Sequence, residues 1–193
     1  MNTDTRQNRR EQSHQRILDA ASRAVRRQGY AGVGVAEVMK EAGLTHGGFY
    51  AHFKSRDALL AAAIEHAAQD SVKRLSRRIE ALQDAGASPV RALVEGYLAD
   101  EHVDACERGC PVAALGSEIA RQSDDVLEVS RQRVRGLVEK VRLALPPDAP
   151  AESAFGLAAS MVGALQLARA LGDEGRAQLA ATRAALVAQY DQT

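Results

Sequence analysis

The chain has 193 residues, 46% of them hydrophobic and 26% charged, with a formal net charge of zero. That is enough for one substantial core, or for a small domain joined to a larger one. Trp is absent and aromatics make up 4%, while Ala, Leu, Val, Arg and Glu dominate, which favours helix. No apolar run approaches the roughly 18 residues needed to cross a bilayer, so a membrane span is not expected. The polar, Arg-rich N-terminus has no hydrophobic segment behind it, so a secretory signal is not expected either and the expected compartment is the cytoplasm.

The zero balance conceals an asymmetry. Residues 1–57 carry ten Lys and Arg against six Asp and Glu; residues 58–193 carry fifteen against nineteen. A basic end that meets phosphate and a mildly acidic body that does not would produce this split. So would sampling noise.

In chain order, residues 1–12 are polar and lack an apolar period, which predicts disorder. Arg6, Arg9 and Arg10 there would follow a DNA backbone or enter a minor groove, or simply form a solvated tail. Ile17, Leu18, Ala21, Ala24 and Val25 repeat on one face and predict a helix over 13–28, stopped by Gly29. Two short helices joined at Gly43 follow. Ser55 caps a fourth helix reaching about residue 85, long enough at 1.5 Å per residue, about 42 Å, to leave one domain and enter the next. Further helices are predicted over 89–103, 111–122, 124–145, 152–171 and 173–190, with Pro111 at a helix start and residues 146–150 as a linker. No strand alternation is long enough to matter, so the fold class is all-α. The expected division is 1–56 for an N-terminal arm and three-helix DNA-binding domain, and 57–193 for a C-terminal helical bundle.

The stretch 35–53 carries the most information. Val38 and Met39 form an apolar ridge, Gly43 permits the left-handed conformation that ends a helix, Leu44 plugs the turn and Thr45 is a suitable N-cap. Phe49 and Phe53, four apart, share an inward face. Thr45, His46, Gly47, Gly48, Tyr50 and His52 are left facing outward, where a helix-turn-helix meets DNA. Lys54 and Arg56 add charge, Arg56 at a helix N-terminus whose free N–H groups attract anions. Adjacent Gly47 and Gly48 weaken a helix by roughly 1 kcal/mol each relative to Ala. They serve either close backbone approach to the groove or steric relief against the preceding helix.

The run 45–60, THGGFYAHFKSRDALL, resembles the recognition helix and following helix start of the TetR family of bacterial transcriptional regulators. Tyr50, Phe53, Lys54-Ser55, Arg56, Asp57 and Leu59 fill the family's places, as do residues 41–44, 17–21 and Gly29-Tyr30. The resemblance covers about the first third of the chain. It departs where Arg56 replaces a commoner Lys and where Gly34 and Val35 replace hydroxyl residues. It implies a ligand-responsive regulator, most simply a repressor that leaves a palindromic operator when a small-molecule inducer binds. It also implies that His46, Gly47, Gly48, Tyr50, His52 and Arg56 touch double-stranded DNA.

Residues 154–171 are nearly uncharged and rich in Gly, Ala and Ser. With the apolar face of the last helix they predict a four-helix homodimer interface, the alternative being an ordinary monomer core. Tyr97, Leu98, Phe155, Met161 and Leu165 would line an apolar ligand cavity or fill a core. Lys73-Arg74 and Arg77-Arg78 form a basic run that reads as a solvated face.

The two cysteines, Cys106 and Cys110, lie four apart with His102 four before them. This is neither the usual redox pair nor a zinc knuckle, and Gly109 and Pro111 favour a turn. Cys110 at a helix start, two residues from Arg108, suits a sensing thiol; the alternative is a small buried packing residue. A thiol-sensing regulator is therefore the second functional reading. A small all-α thiol peroxidase is the rival from another class, although it leaves residues 35–53 unexplained. No catalytic set, metal site or cofactor is expected.

Overall fold

The computed structural model describes residues 2–191, with side chains from residue 7 onward, and among them every regular element is helical. Helix α1 spans Asn2–Gly32 and α2 spans Val35–Glu41; a 3-10 segment, His46–Ala51, follows. Helix α3, Arg56–Asp84, begins where the Ser55 hydroxyl accepts the Ala58 N–H at 3.0 Å, as its sequence predicts. The body is built from α4 (Pro89–Tyr97), α5 (Asp100–Asp104), α6 (Pro111–Leu115), α7 (Asp124–Ala144), α8 (Ser153–Leu171) and α9 (Asp173–Tyr190).

The N-terminal residues differ from expectation. They extend α1 rather than forming a disordered arm. No Gly or Pro interrupts them, and pairs one turn apart support the helix: Gln12 donates to Asn8 at 2.8 Å and Gln7 to Glu11 at 3.4 Å. The Arg6 side chain lies outside the described residues. The predicted stop at Gly29 is a kink, with φ 74°. A side chain there would be strained by the backbone and would also meet the Glu118 carboxylate at 2.5 Å. That carboxylate accepts the Tyr30 N–H at 3.0 Å, fixing the end of α1 to the body.

Two predicted helices are each broken. Residues 89–103 divide at Leu98–Ala99, where Ala99 is extended. Residues 111–122 divide after Leu115, leaving a 3-10 turn at Ile119–Arg121. Both breaks let the chain turn around buried side chains, Leu98 and Leu115, each at most 1% exposed.

Two apolar clusters organise the molecule. The head cluster joins Ile17, Ala21, Val25, Met39, Phe49, Phe53 and the start of α3 from Leu59 to Ile64, and also takes in Leu115 and Val126 of the body. The body cluster centres on Leu93, Val94, Leu98, Val141, Leu157, Met161 and Leu165, with Leu75 and Ile79 of α3 packed against it. Helix α3 thus belongs to both. Met161, Leu165 and Leu98 are core, whereas Phe155 is 65% exposed, so these residues do not line one common cavity.

Helix α8 corrects the reading that no apolar run approaches a membrane span. An 18-residue window of this 19-residue helix has a mean hydropathy of 1.4. Length and composition alone do not make it one: Leu157, Met161 and Leu165 are sealed in the body core. Arg169 donates to the carbonyls of His102 and Val103 at 2.7 and 3.3 Å. Its outer face carries Phe155, Leu167 and Leu171, all exposed.

Candidate nucleic-acid interface

Helix α2 ends in a Schellman turn. The Leu44 N–H bonds to the Met39 carbonyl at 2.9 Å and the Gly43 N–H to the Lys40 carbonyl at 3.0 Å, with Gly43 at φ 69°. This closes the tight angle between α2 and the next segment. Thr45 is extended at that entry, but its hydroxyl makes no capping bond; its carbonyl accepts the Gly48 N–H at 3.0 Å. The recognition segment is accordingly a six-residue 3-10 turn rather than a capped α-helix. Two adjacent glycines and a missing side-chain cap account for that.

Phe49 and Phe53 are buried, their rings 5.9 Å apart, and Met39 lies under them in the head core. Their burial turns the opposite face outward. Thr45, His46, Gly47 and Lys54 are exposed, and Tyr50 is 74% exposed.

The glycines decide between two explanations. A Cβ on Gly47 would meet nothing within 4 Å, and one on Gly48 would make ordinary contacts of 3.7 Å with Met39 and 3.9 Å with Thr45. Neither has a positive φ. A Cβ is therefore tolerated at either place, and a clash of that atom with α2 is not what keeps them glycine.

Two residues singled out in the sequence sit elsewhere. Arg56 donates through Nε to the Val33 carbonyl at 3.0 Å and through Nη2 to the Tyr30 carbonyl. Its guanidinium clasps the α1–α2 connection instead of standing free for phosphate. His52 is half-buried, its Nδ1 enclosed without a partner and its ring 5.8 Å from that of His14. Burial lowers the pKa of His52, with His14 and Arg10 adding to the effect. Burial and then Arg10 lower that of His14.

His14 and Arg10 complete the support, and the motif reading did not foresee their part. The His14 ring stacks on Phe53 at 4.8 Å. Arg10 Nη2 donates to the Ala51 carbonyl at 2.9 Å, satisfying the C-terminal end of the recognition segment. The signal for His14 was present: it precedes Ile17 and Ala21 by three and seven, on the apolar face of α1.

The second candidate region is the turn around Cys106–Arg108. His102, Cys106 and Cys110 do not converge, and among the described residues no cluster of His, Cys, Asp or Glu suits a metal ion. His102 Nδ1 lies 2.6 Å from the Tyr97 carbonyl, and its Nε2 accepts the Cys110 N–H at 2.9 Å. These partners fix the neutral tautomer with the proton on Nδ1. Burial pushes the imidazole down to about 4, and Arg169 and Arg78 oppose its protonation.

Cys110 is 7% exposed and sits at the N-cap of α6 without a capping bond from its thiol. It neighbours the buried Tyr97 hydroxyl, which has no oxygen or nitrogen partner. Burial, then the Cys110 thiol, raise that phenol well above its usual value. Cys106 is half-buried, and its thiol donates to the Arg26 carbonyl of α1 at 3.3 Å.

A Schellman-turned helix pair with an outward face, carried by a helical body, defines a helix-turn-helix regulator. Residues 17–63 match the family model described as bacterial regulatory proteins, tetR family. It is 34% identical over 79 residues to the uncharacterized HTH-type transcriptional regulator YerO of Bacillus subtilis, a match covering 41% of this chain and 27% of YerO. Identity to the HTH-type transcriptional regulator BetI of Burkholderia thailandensis is 28% over 163 residues, 80% of each chain. The crystal structure of reduced NemR from E. coli shares the fold, with a TM-score of 0.70 at 20% identity over 90% of this chain and 94% of that one. The chain thus spans about a quarter of YerO and most of BetI and NemR.

Proposed function

We propose that the chain is a dimeric transcriptional repressor that holds a palindromic operator in the cytoplasm and leaves it when a small molecule binds the body. Residues 1–56 act as the reading head and 57–193 as the body, with α3 shared. The observation that carries this reading is the recognition face. Gly47 and Gly48 each have room for a Cβ and an unstrained backbone, and their bareness suits close approach of a partner to the backbone. Thr45, His46 and Gly47 at the start of the segment meet base edges, the backbone at Gly48 lies close to the groove, and Tyr50 and Lys54 hold phosphate. Arg56 and His52 support that face from behind. The exposed Phe155, Leu167 and Leu171 on α8 support pairing of two copies through α8 and α9. The name of the relative BetI, a transcriptional regulator, supports the same class.

The test is selection from a random duplex library, followed by sedimentation of the complex. A palindromic consensus bound by two copies is expected, with affinity falling steeply with salt. Recovery of no enriched sequence would overturn the reading.

A thiol-responsive version rests on a different residue from the one the sequence favours. Cys106 is the better exposed of the two thiols and touches α1 directly, so its modification would disturb the head. Under a mild electrophile, Cys106→Ser should keep operator binding while the wild type loses it. Equal retention by both rejects thiol control, and peroxide turnover by the wild type would point instead to a thiol enzyme.

A further inference from the structure

A cavity of about 530 Å³ opens between α3, the end of α4 and the segment 100–109, within the size range of small-molecule sites. Arg74, Arg77 and Arg78 line it from α3, and Arg108 enters from the other side, over a floor that includes Leu75 and Tyr97. Arg74 is paired with Asp70 and Arg78 with Glu101, the latter at 2.9 Å. Arg77 and Arg108 have no ion pair among the described residues, and Glu101 is the one carboxylate in the lining. A solvated basic face explains charges on one helix. It does not explain a fourth guanidinium brought by a separate segment to the same space. Like charges three and four apart weaken a helix, and no ion pair offsets Arg77 or Arg108 among the described residues.

We propose that this cavity binds a small amphipathic anion, a carboxylate or sulfonate on an apolar body, and that α1 senses its presence through Gly109. The proposal rests on the ligand-released repressor reading and names the ligand's chemistry. Arg77 and Arg108 take the charge by forked hydrogen bonds, and Leu75 and Tyr97 meet the apolar part.

The route to the head follows from the residue next to Arg108. The Gly109 carbonyl accepts Arg26 Nη1 of α1 at 3.1 Å, and Arg26 is 3% exposed. Gly109 is closely packed: a Cβ there would lie 2.6 Å from His102 Nε2. His102 in turn ties Tyr97 to Cys110, and Arg27 pairs with Glu107 at 3.0 Å. A ligand that draws on Arg108 therefore pulls a segment whose other contacts hold α1. Binding favours whichever position of α1 leaves the cavity filled, and operator affinity changes by the same factor as ligand affinity.

The probe is 1-naphthoate, compared with neutral 1-naphthylmethanol, cationic 1-naphthylmethylammonium and inorganic phosphate. Naphthalene emission is readable because the chain has no Trp. Calorimetry on the full chain should show naphthoate bound at least about tenfold more tightly than the alcohol, the scale of one charge-assisted contact, with the ammonium and phosphate weaker still. Arg77→Gln and Arg108→Gln, both on exposed side chains, should each lose about tenfold for naphthoate and leave the alcohol unchanged. Naphthoate should weaken operator binding by the wild type. Arg26→Lys, which keeps the charge but not the fork, should bind naphthoate normally while its operator affinity responds less. Equal binding of all four probes, phosphate binding as tight as naphthoate, or wild-type coupling in Arg26→Lys overturns the proposal. If no operator is found, the repressor reading fails while the naphthoate comparison still decides the cavity.

Discussion

The recognition segment 46–51 and the segment 102–110 are both short and irregular, yet their polar groups meet opposite fates. Around the first, the side chains of Thr45, His46, Tyr50 and Lys54 stand in solvent, and support comes from behind through Arg10, His14 and the buried Phe49 and Phe53. In the second, His102, the Gly109 carbonyl, the Cys110 N–H and the Cys106 thiol are each bonded within the chain. An open set of donors is available to a partner. A closed set transmits, since moving one member breaks bonds at both ends.

The sharpest way to break the closed segment is acid. His102 titrates at about 4 in the folded chain and at its ordinary 6.5 when unfolded. Above pH 6.5 it is neutral in both states and its packing is fully available. As pH falls through this window the unfolded chain takes up the proton first, so stability declines. The difference amounts to about 3 kcal/mol at pH 4. His14 and His52, whose pKa values are also lowered, act in the same direction in the head. Urea unfolding at pH 7 and pH 4 should reveal this, and His102→Gln should have a distinctly shallower pH dependence. An identical slope in the variant would remove His102 from the account.

Arg56 and Lys54 sharpen the contrast within two residues. Arg56→Ala removes charge-assisted bonds to the Val33 and Tyr30 carbonyls and should cost about 2 kcal/mol of stability. Lys54→Ala should leave stability within about 0.5 kcal/mol but lower the salt slope of operator binding by about one. Denaturation and salt titration of both proteins check this. Unchanged stability with weakened binding in Arg56→Ala would make that residue a phosphate contact after all.

The smallest expected effect concerns Gly47. A methyl added there would have no atom within 4 Å, so Gly47→Ala should stabilise the chain by roughly 0.5–1 kcal/mol while weakening the operator complex. Binding as tight as the wild type would sink the idea that the backbone itself approaches DNA.

Much of the head was legible because its signals are local. Gly43 and Leu44 close a turn with partners no more than five residues away, Ser55 caps α3 from three residues away, and the 17–25 period needs one helix face. Thr45 misled because a good capping residue was followed by two glycines, and helix propensity lost to a 3-10 turn. The arm misled because polar composition was read as disorder where helical pairs were available.

By itself, the sequence determined an all-helical chain, the turn and outward face of the helix-turn-helix, and the long α3 that joins head to body, because these depend on neighbours within about a helical turn. Only the tertiary structure decided the roles of Arg56, Arg108 and His102. Arg56 reaches back 26 residues to Tyr30, and Arg108 shares one cavity with Arg74, Arg77 and Arg78 of α3. His102 holds a segment whose Gly109 carbonyl binds Arg26, 83 residues away. A long polar side chain carries no periodic signal of where it ends; its partner is set by which backbone groups folding leaves in need of one.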